Sequence, residues 1–158
     1  MLQPLTQFLC DTCHGVIENP DQGWIEWLSK YDGTVPKRRS TNFRICHHKM
    51  SCQKLAKHPD CADLPLREFV GAKAAVHLAS LLDVGRFHER DYSGPEVTDF
   101  AEFAELMRRL TIPYYEEARQ YWNRAMHDGY FYDQNEIYLY LPDSLMSMIE
   151  HYQTEDED

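Results

Sequence analysis

Long apolar runs are missing from this chain. No stretch approaches the roughly 18 consecutive apolar residues that cross a bilayer, so no membrane-spanning helix and no membrane partner are expected. Residues 1–9 have neither a basic start nor an extended apolar core, a composition that argues against a secretory signal. Internal repeats are absent as well. Cations are scarce toward the C-terminus: residues 101–158 hold 4 Lys/Arg against 13 Asp/Glu, whereas residues 1–65 hold 8 against 7. The cysteines number five, an odd count that disfavours a disulfide framework. A reducing, cytoplasmic setting is therefore expected.

Of the 158 residues, 43% are hydrophobic and 13% aromatic, enough for a packed core and too much for a disordered chain. That length suits one compact domain or two small ones sharing an interface. The pattern predicts an α+β fold: a small β module over residues 1–62, a mostly helical part with a β-hairpin over 63–153, and an acidic tail at 154–158.

Chemistry concentrates at Cys10-Asp11-Thr12-Cys13-His14-Gly15. The C-x2-C spacing lets a single turn aim two sulfurs at one ion, and Gly15 is expected to take the positive φ of a tight turn. A second pair lies in Cys46-His47-His48-Lys49-Met50-Ser51-Cys52. His48 and Cys52 have an H-x3-C spacing suited to the end of a strand. His47 is the adjacent alternative to His48, sharing a strand face with Phe43 and Ile45. Cys46 and Cys61 are reserve ligands. Thiolate and imidazole donors suit Zn2+, and four protein ligands close its tetrahedral shell, so a structural zinc held by Cys10, Cys13, His48 and Cys52 is expected. Two ligand-bearing corners joined by strands at 24–28 and 42–47 resemble a zinc ribbon, which has too small a core to stand without metal.

Around these corners Lys37, Arg38, Arg39, Arg44, Lys49, Lys54 and Lys57 run without an acid until Asp60. Clustered cations gain by releasing counterions from phosphate, so nucleic-acid contact is expected here, with Lys37, Arg38, Arg39 and Arg44 as the candidate residues. The polar segment 53–64 reads as a linker.

Helical spacing follows over 66–83, stopped by Gly85, and a charged loop covers 86–95. A helix over 99–110 is capped by Asp99, with Glu102 in capping-box position and an inward stripe of Phe100, Phe103, Ala104, Met107 and Leu110. After Thr111-Ile112-Pro113 comes a helix over 113–128, then a hairpin over 130–141 and a last helix over 143–152. This order resembles a winged helix-turn-helix domain. The resemblance implies that the 113–128 helix presents Tyr114, Glu117, Gln120, Asn123 and Arg124 to a DNA groove while the hairpin touches the backbone. The charge departs from that family, with Glu116 and Glu117 leading the helix and Asp133 and Glu136 on the wing. The acidic half is therefore expected to pack, to bind a protein partner or to self-associate.

The His47-His48 pair is also loosely similar to the ββα-metal nucleases, which implies His47 as a base and His48 as a metal ligand. Pro59 cuts short the helix that such an enzyme needs next. The sequence thus points to a non-enzymatic, zinc-binding regulatory or adaptor protein. A pure protein-interaction module and a nuclease stand as the alternatives.

Overall fold

A computed structural model describes residues 1–31, 33, 38–83, 95–133 and 135–157, with side chains to residue 155. Lys37, Gly85 and most of the expected 86–95 loop lie outside the described residues. The fold is mixed α+β, with two small antiparallel sheets preceding the helices. Strands β1 (Phe8–Leu9) and β2 (Val16–Ile17) flank the C-x2-C turn and pair with each other. The larger sheet holds β3 (Gly23–Tyr31), β4 (Arg38–His47) and β5 (Cys61–Pro65) in the order β4-β3-β5.

Alternation along β3 and β4 carries Ile25, Trp27, Phe43 and Ile45 into the core. The β3–β4 register slips between Glu26 and Leu28, where β4 carries one extra residue. Asn42 sits there at φ 60°, a left-handed conformation that Asn tolerates better than most residues. The bulge leaves the Phe43 amide without a strand partner, and the Glu102 carboxylate accepts it at 2.7 Å.

Segment 53–64 is more than a linker. Its end forms β5, which adds to the free edge of β3, so the expected boundary at residue 62 falls within a strand. The first turns of 66–83 also differ from expectation. A 3-10 turn at Leu66–Phe69 is followed by Gly71 at φ 60°, and α1 starts only at Ala72, running to Leu82. Helix α2 (Phe100–Thr111) has the Asp99 cap, whose Oδ1 accepts the amides of Ala101 and Glu102, both at 3.0 Å. Its buried face is Phe103, Leu106, Arg109 and Leu110, leaving Phe100 and Met107 exposed.

The expected 113–128 helix is broken into α3 (Tyr115–Ala118) and α4 (Trp122–His127). Tyr114 lies at φ 67°, so the chain enters α3 from a left-handed residue rather than running on from Pro113. The expected hairpin does not form: the described residues of 130–141 make turns and a 3-10 segment at Tyr138–Tyr140, with no strand. The amides of Tyr132, Tyr138, Tyr140 and Leu141 each donate to the carbonyl three residues back, which takes the donors a strand ladder would need. Phe131 and Tyr140 pack on Trp122, at 5.2 and 5.9 Å between ring centroids. Helix α5 (Pro142–Glu157) runs through the expected tail, aided by an Arg124–Glu155 ion pair of 2.8 Å.

Buried residues fall into two clusters. The first joins the sheets to α1 and α2, and the second joins α3, α4 and α5 around Tyr115, Leu145, Met148, Ile149 and Tyr152. The two cores therefore meet between α2 and α3. Among the described residues, no helix is long and apolar enough to cross a membrane.

Candidate metal centre

Cys10 and Cys13 lie at the start and bend of the turn between β1 and β2. The turn is closed by Cys10 N–H donating to Gly15 O at 3.0 Å and His14 N–H donating to Cys10 O at 2.9 Å. The left-handed residue is His14 at φ 57°, not Gly15 as expected. A Cβ at Gly15 would stand in ordinary van der Waals contact with Cys13 Sγ at 3.5 Å and His47 Cε1 at 3.6 Å, so neither φ nor space demands glycine there.

The second corner follows β4. Cys52 N–H donates to Lys49 O at 2.8 Å, which turns the chain back, and Thr12 Oγ1 donates to Cys52 O at 2.6 Å, which ties the corners together. The result brings Cys10, Cys13, His47 and Cys52 together, with their ligand atoms all within 4.8 Å of one another. A tetrahedral zinc with bonds of about 2.3 Å needs ligand atoms roughly 3.8 Å apart, so this donor set fits with small adjustments.

Of the two adjacent histidines, His47 joins the cluster. Its Nδ1 lies 3.4 Å from Cys13 Sγ and its Nε2 lies 3.1 Å from Val16 O. A carbonyl can only accept, so Nε2 carries the proton and the Nδ1 lone pair faces the thiols, with the Val16 carbonyl fixing the ring as an outer hydrogen bond fixes a metal-bound imidazole. His48 points elsewhere. Its ring stacks on Trp24 at 4.1 Å and 13°, and Trp24 Nε1–H donates to Asp63 at 2.7 Å. His47 is the last residue of β4, and His48 follows it in the bend, where its amide donates to Gln22 O at 3.0 Å.

The thiols differ in environment. Burial opposes ionisation of Cys10, but amides of Cys13, His47 and Thr12 point at its sulfur and bring its pKa down to about 6. The Thr12 amide is 3.4 Å from that sulfur. Burial pushes the Cys52 thiol up, and its hydrogen bonds to Cys13 and Cys10 add to this. Metal-free, the site therefore concentrates negative charge on Cys10.

The two reserve cysteines stand apart. Cys46 is fully buried, and burial together with Glu26 holds its thiol well above the ordinary range. Cys61 pairs with Leu28, five residues along β3 from Gly23, the residue opposite His47. At about 3.3 Å per residue, that separation puts Cys61 out of reach.

A charged network supports the turn. Arg109 is 4% exposed, and its fork donates from Nε and Nη2 to the two Glu116 oxygens, both at 2.8 Å. Nη1 donates to both Asp11 oxygens at 2.9 and 2.8 Å, and Nη2 also donates to Leu9 O at 3.0 Å. Glu116 in turn accepts the Leu9 amide at 2.8 Å, and Asp11 accepts the Ile45 amide at 2.8 Å. Glu117 accepts the Leu2 amide at 2.9 Å. Glu116 and Glu117 are thus buried partners of the N-terminal segment, not residues presented to a groove.

Sequence reasoning missed this role and also missed Glu26. Glu26 is buried on β3 and accepts the amides of Lys54 and Leu55 at 2.9 and 3.0 Å. A lone acid inside an apolar strand was the available signal.

Of the expected nucleic-acid contacts, Arg44 is committed inward. It donates from Nη2 to Thr12 Oγ1 at 2.8 Å and to Asp11 O at 3.2 Å, and its Nε lies 3.3 Å from Glu26. Arg38 is exposed and donates to Ser29 O at 3.1 Å, and Arg39 is exposed beside it on β4. Comparison with protein-family models, with curated proteins and with solved structures finds no match to this chain.

Proposed function

We propose that this chain is a non-enzymatic binding protein of the regulatory or adaptor kind, stapled by a structural zinc. The observation that carries the reading is the donor set: three cysteines and His47 converge on one position, which fills a tetrahedral shell and leaves no site for a substrate or water. Such a centre holds shape rather than performing chemistry. The nuclease alternative is weakened by the same geometry, because His47 faces the thiols through Nδ1 and a carbonyl through Nε2.

Protein contact is favoured over nucleic acid by the placement of Arg44, which serves the ligand turn and leaves the basic stretch poorer by one cation. The acidic helical half repels phosphate as well.

Cobalt substitution tests the metal reading. The Co2+ protein should show the strong sulfur-to-cobalt charge transfer and ligand-field bands of a tetrahedral thiolate site, with one metal per chain. Bands of a five- or six-coordinate site would overturn the closed centre. For the partner class, labelled duplex DNA titrated with the full chain at physiological salt should give no saturable binding. Tight binding lost on Arg38→Glu and Arg39→Glu would restore the nucleic-acid reading.

A further inference from the structure

The loop between α4 and α5 divides its apolar side chains into two sets. Tyr130, Phe131 and Tyr140 turn inward: Phe131 and Tyr140 lie on Trp122, and Tyr130 lies 5.9 Å from Tyr152. This inner set accounts for how the loop is anchored. A second set does not serve the core. Met126, Tyr132, Ile137, Tyr138 and Leu141 are between 45% and 89% exposed. Scattered exposed apolar residues need no explanation, but a group of large ones at the end of α4 and in the loop after it marks a contact surface.

The loop's backbone is shaped to present them. Gly129 sits at φ 73°, and a Cβ there would come within 2.3 Å of the Tyr132 ring, so only glycine lets the ring fold back over the turn. Two open cavities adjoin the loop. One, of about 440 Å³, is bordered by Asp133, Tyr138, Leu141 and Ser144. The other, of about 340 Å³, is bordered by Met126, Tyr132, Glu136 and Leu139. Each therefore combines apolar walls with a carboxylate.

Charge selects the occupant. Residues 125–158 contain nine Asp/Glu and no Lys or Arg. Arg124, paired with Asp128 and Glu155, and Arg108, which lies over the Tyr140 ring, pack on them, and the region stays net acidic. A net acidic field steers opposite charge toward the surface and penalises like charge. The same face of a second copy, an anionic lipid surface and a phosphate backbone are all disfavoured by it. We propose that the 126–141 surface docks a basic amphipathic segment of a partner protein. Apolar side chains of the segment enter the two cavities, and its Lys and Arg side chains meet Asp133, Glu136 and the acidic α5. This is the helix-in-groove mode, read here from the receptor side. The inference rests on the reading of the chain as a binding protein and supplies its partner chemistry.

The probe is a short fluorescein-labelled Leu/Lys peptide patterned as an amphipathic helix, titrated into the zinc-loaded full chain by anisotropy. Saturable binding that weakens with salt is expected. Replacing Ile137 and Tyr138 together by Ser should weaken it about tenfold or more, the size of effect that central apolar anchors carry. Val76→Ser, at an exposed position on α1, should leave it unchanged. A scrambled peptide of the same composition should bind at least about tenfold less tightly, as the apolar stripe is what enters the cavities.

Equal binding of the scrambled peptide, or of a Leu/Glu peptide, would overturn the proposal. So would indifference to the double variant, with its fold verified by circular dichroism. Self-association of the protein alone, abolished by that variant, would assign the surface to a second copy instead. Zinc content measured on the same samples separates the two readings: one zinc per chain without peptide binding sinks only the docking surface.

Discussion

Arg109 and Asp11 are 98 positions apart in sequence, yet Arg109 Nη1 sits 2.9 and 2.8 Å from the two Asp11 carboxylate oxygens. Asp11 follows the ligand Cys10, and the other side of the same guanidinium grips Glu116 of α3. The metal turn and the second helical core are thus clamped through one side chain. Removing that side chain leaves Asp11 and Glu116 the longer ion pairs with Arg119, 3.8 Å from each. Arg109→Ala is expected to destabilise the protein by about 3–5 kcal/mol, as breaking a buried ion pair does. Urea unfolding followed by circular dichroism measures it. Arg109→Lys keeps the charge and loses the fork, so it should recover only part of the loss.

The histidines separate cleanly by experiment. His47→Ala should cost the protein its zinc, because the imidazole whose Nδ1 faces Cys13 is gone. His48→Ala should keep full zinc content, since that ring stacks on Trp24. Metal analysis after dialysis against a mild chelator reads both. Val16 offers a backbone acceptor and cannot be tested by side-chain deletion.

Zinc retention should depend on pH in a fixed direction. Thiolates and neutral imidazole bind metal, so protons compete with it, and affinity should fall by at least about tenfold for each pH unit of acidification. At Cys10 the competition begins only below about 6, because amides already favour its thiolate. The stability that metal adds is therefore present at neutral pH and lost on acidification. Thermal melts with and without a chelator should converge as pH falls. A gap that persists in acid would contradict thiolate ligation.

Glu26 should behave as a structural residue despite its charge. Its carboxylate satisfies the amides of Lys54 and Leu55 just beyond the Cys52 corner, and it neutralises Arg44. Glu26→Ala leaves both amides without a partner and takes the carboxylate away from Arg44 Nε, and a loss of about 3 kcal/mol is expected. Zinc affinity should weaken as well, because Arg44 also holds Thr12 of the metal turn. A chelator-competition titration on the folded variant checks this second effect.

Local chemistry was legible in the sequence. The C-x2-C turn, the strands through Trp24 and Phe43, the Asp99 cap and the final amphipathic helix all follow from spacing, alternation and capping, which act over a few residues. Three of the four clustered metal donors, Cys10, Cys13 and Cys52, were legible for the same reason. The choice between His47 and His48 was not, because it depends on where the strand ends and on which ring the completed fold turns toward the C-x2-C turn. Nor was the fate of residues 130–141, which read as a hairpin but whose amides close turns to carbonyls three residues back. The roles of Glu116 and Glu117 depended on a partner about a hundred residues away, and an acid's sequence neighbours do not show what will be packed against it. Sequence by itself determined the Cys and His donor types and the mixed α+β class of fold. Only the tertiary structure decided which histidine serves and how Arg109 joins the two cores, since both depend on long-range packing that local pattern does not encode.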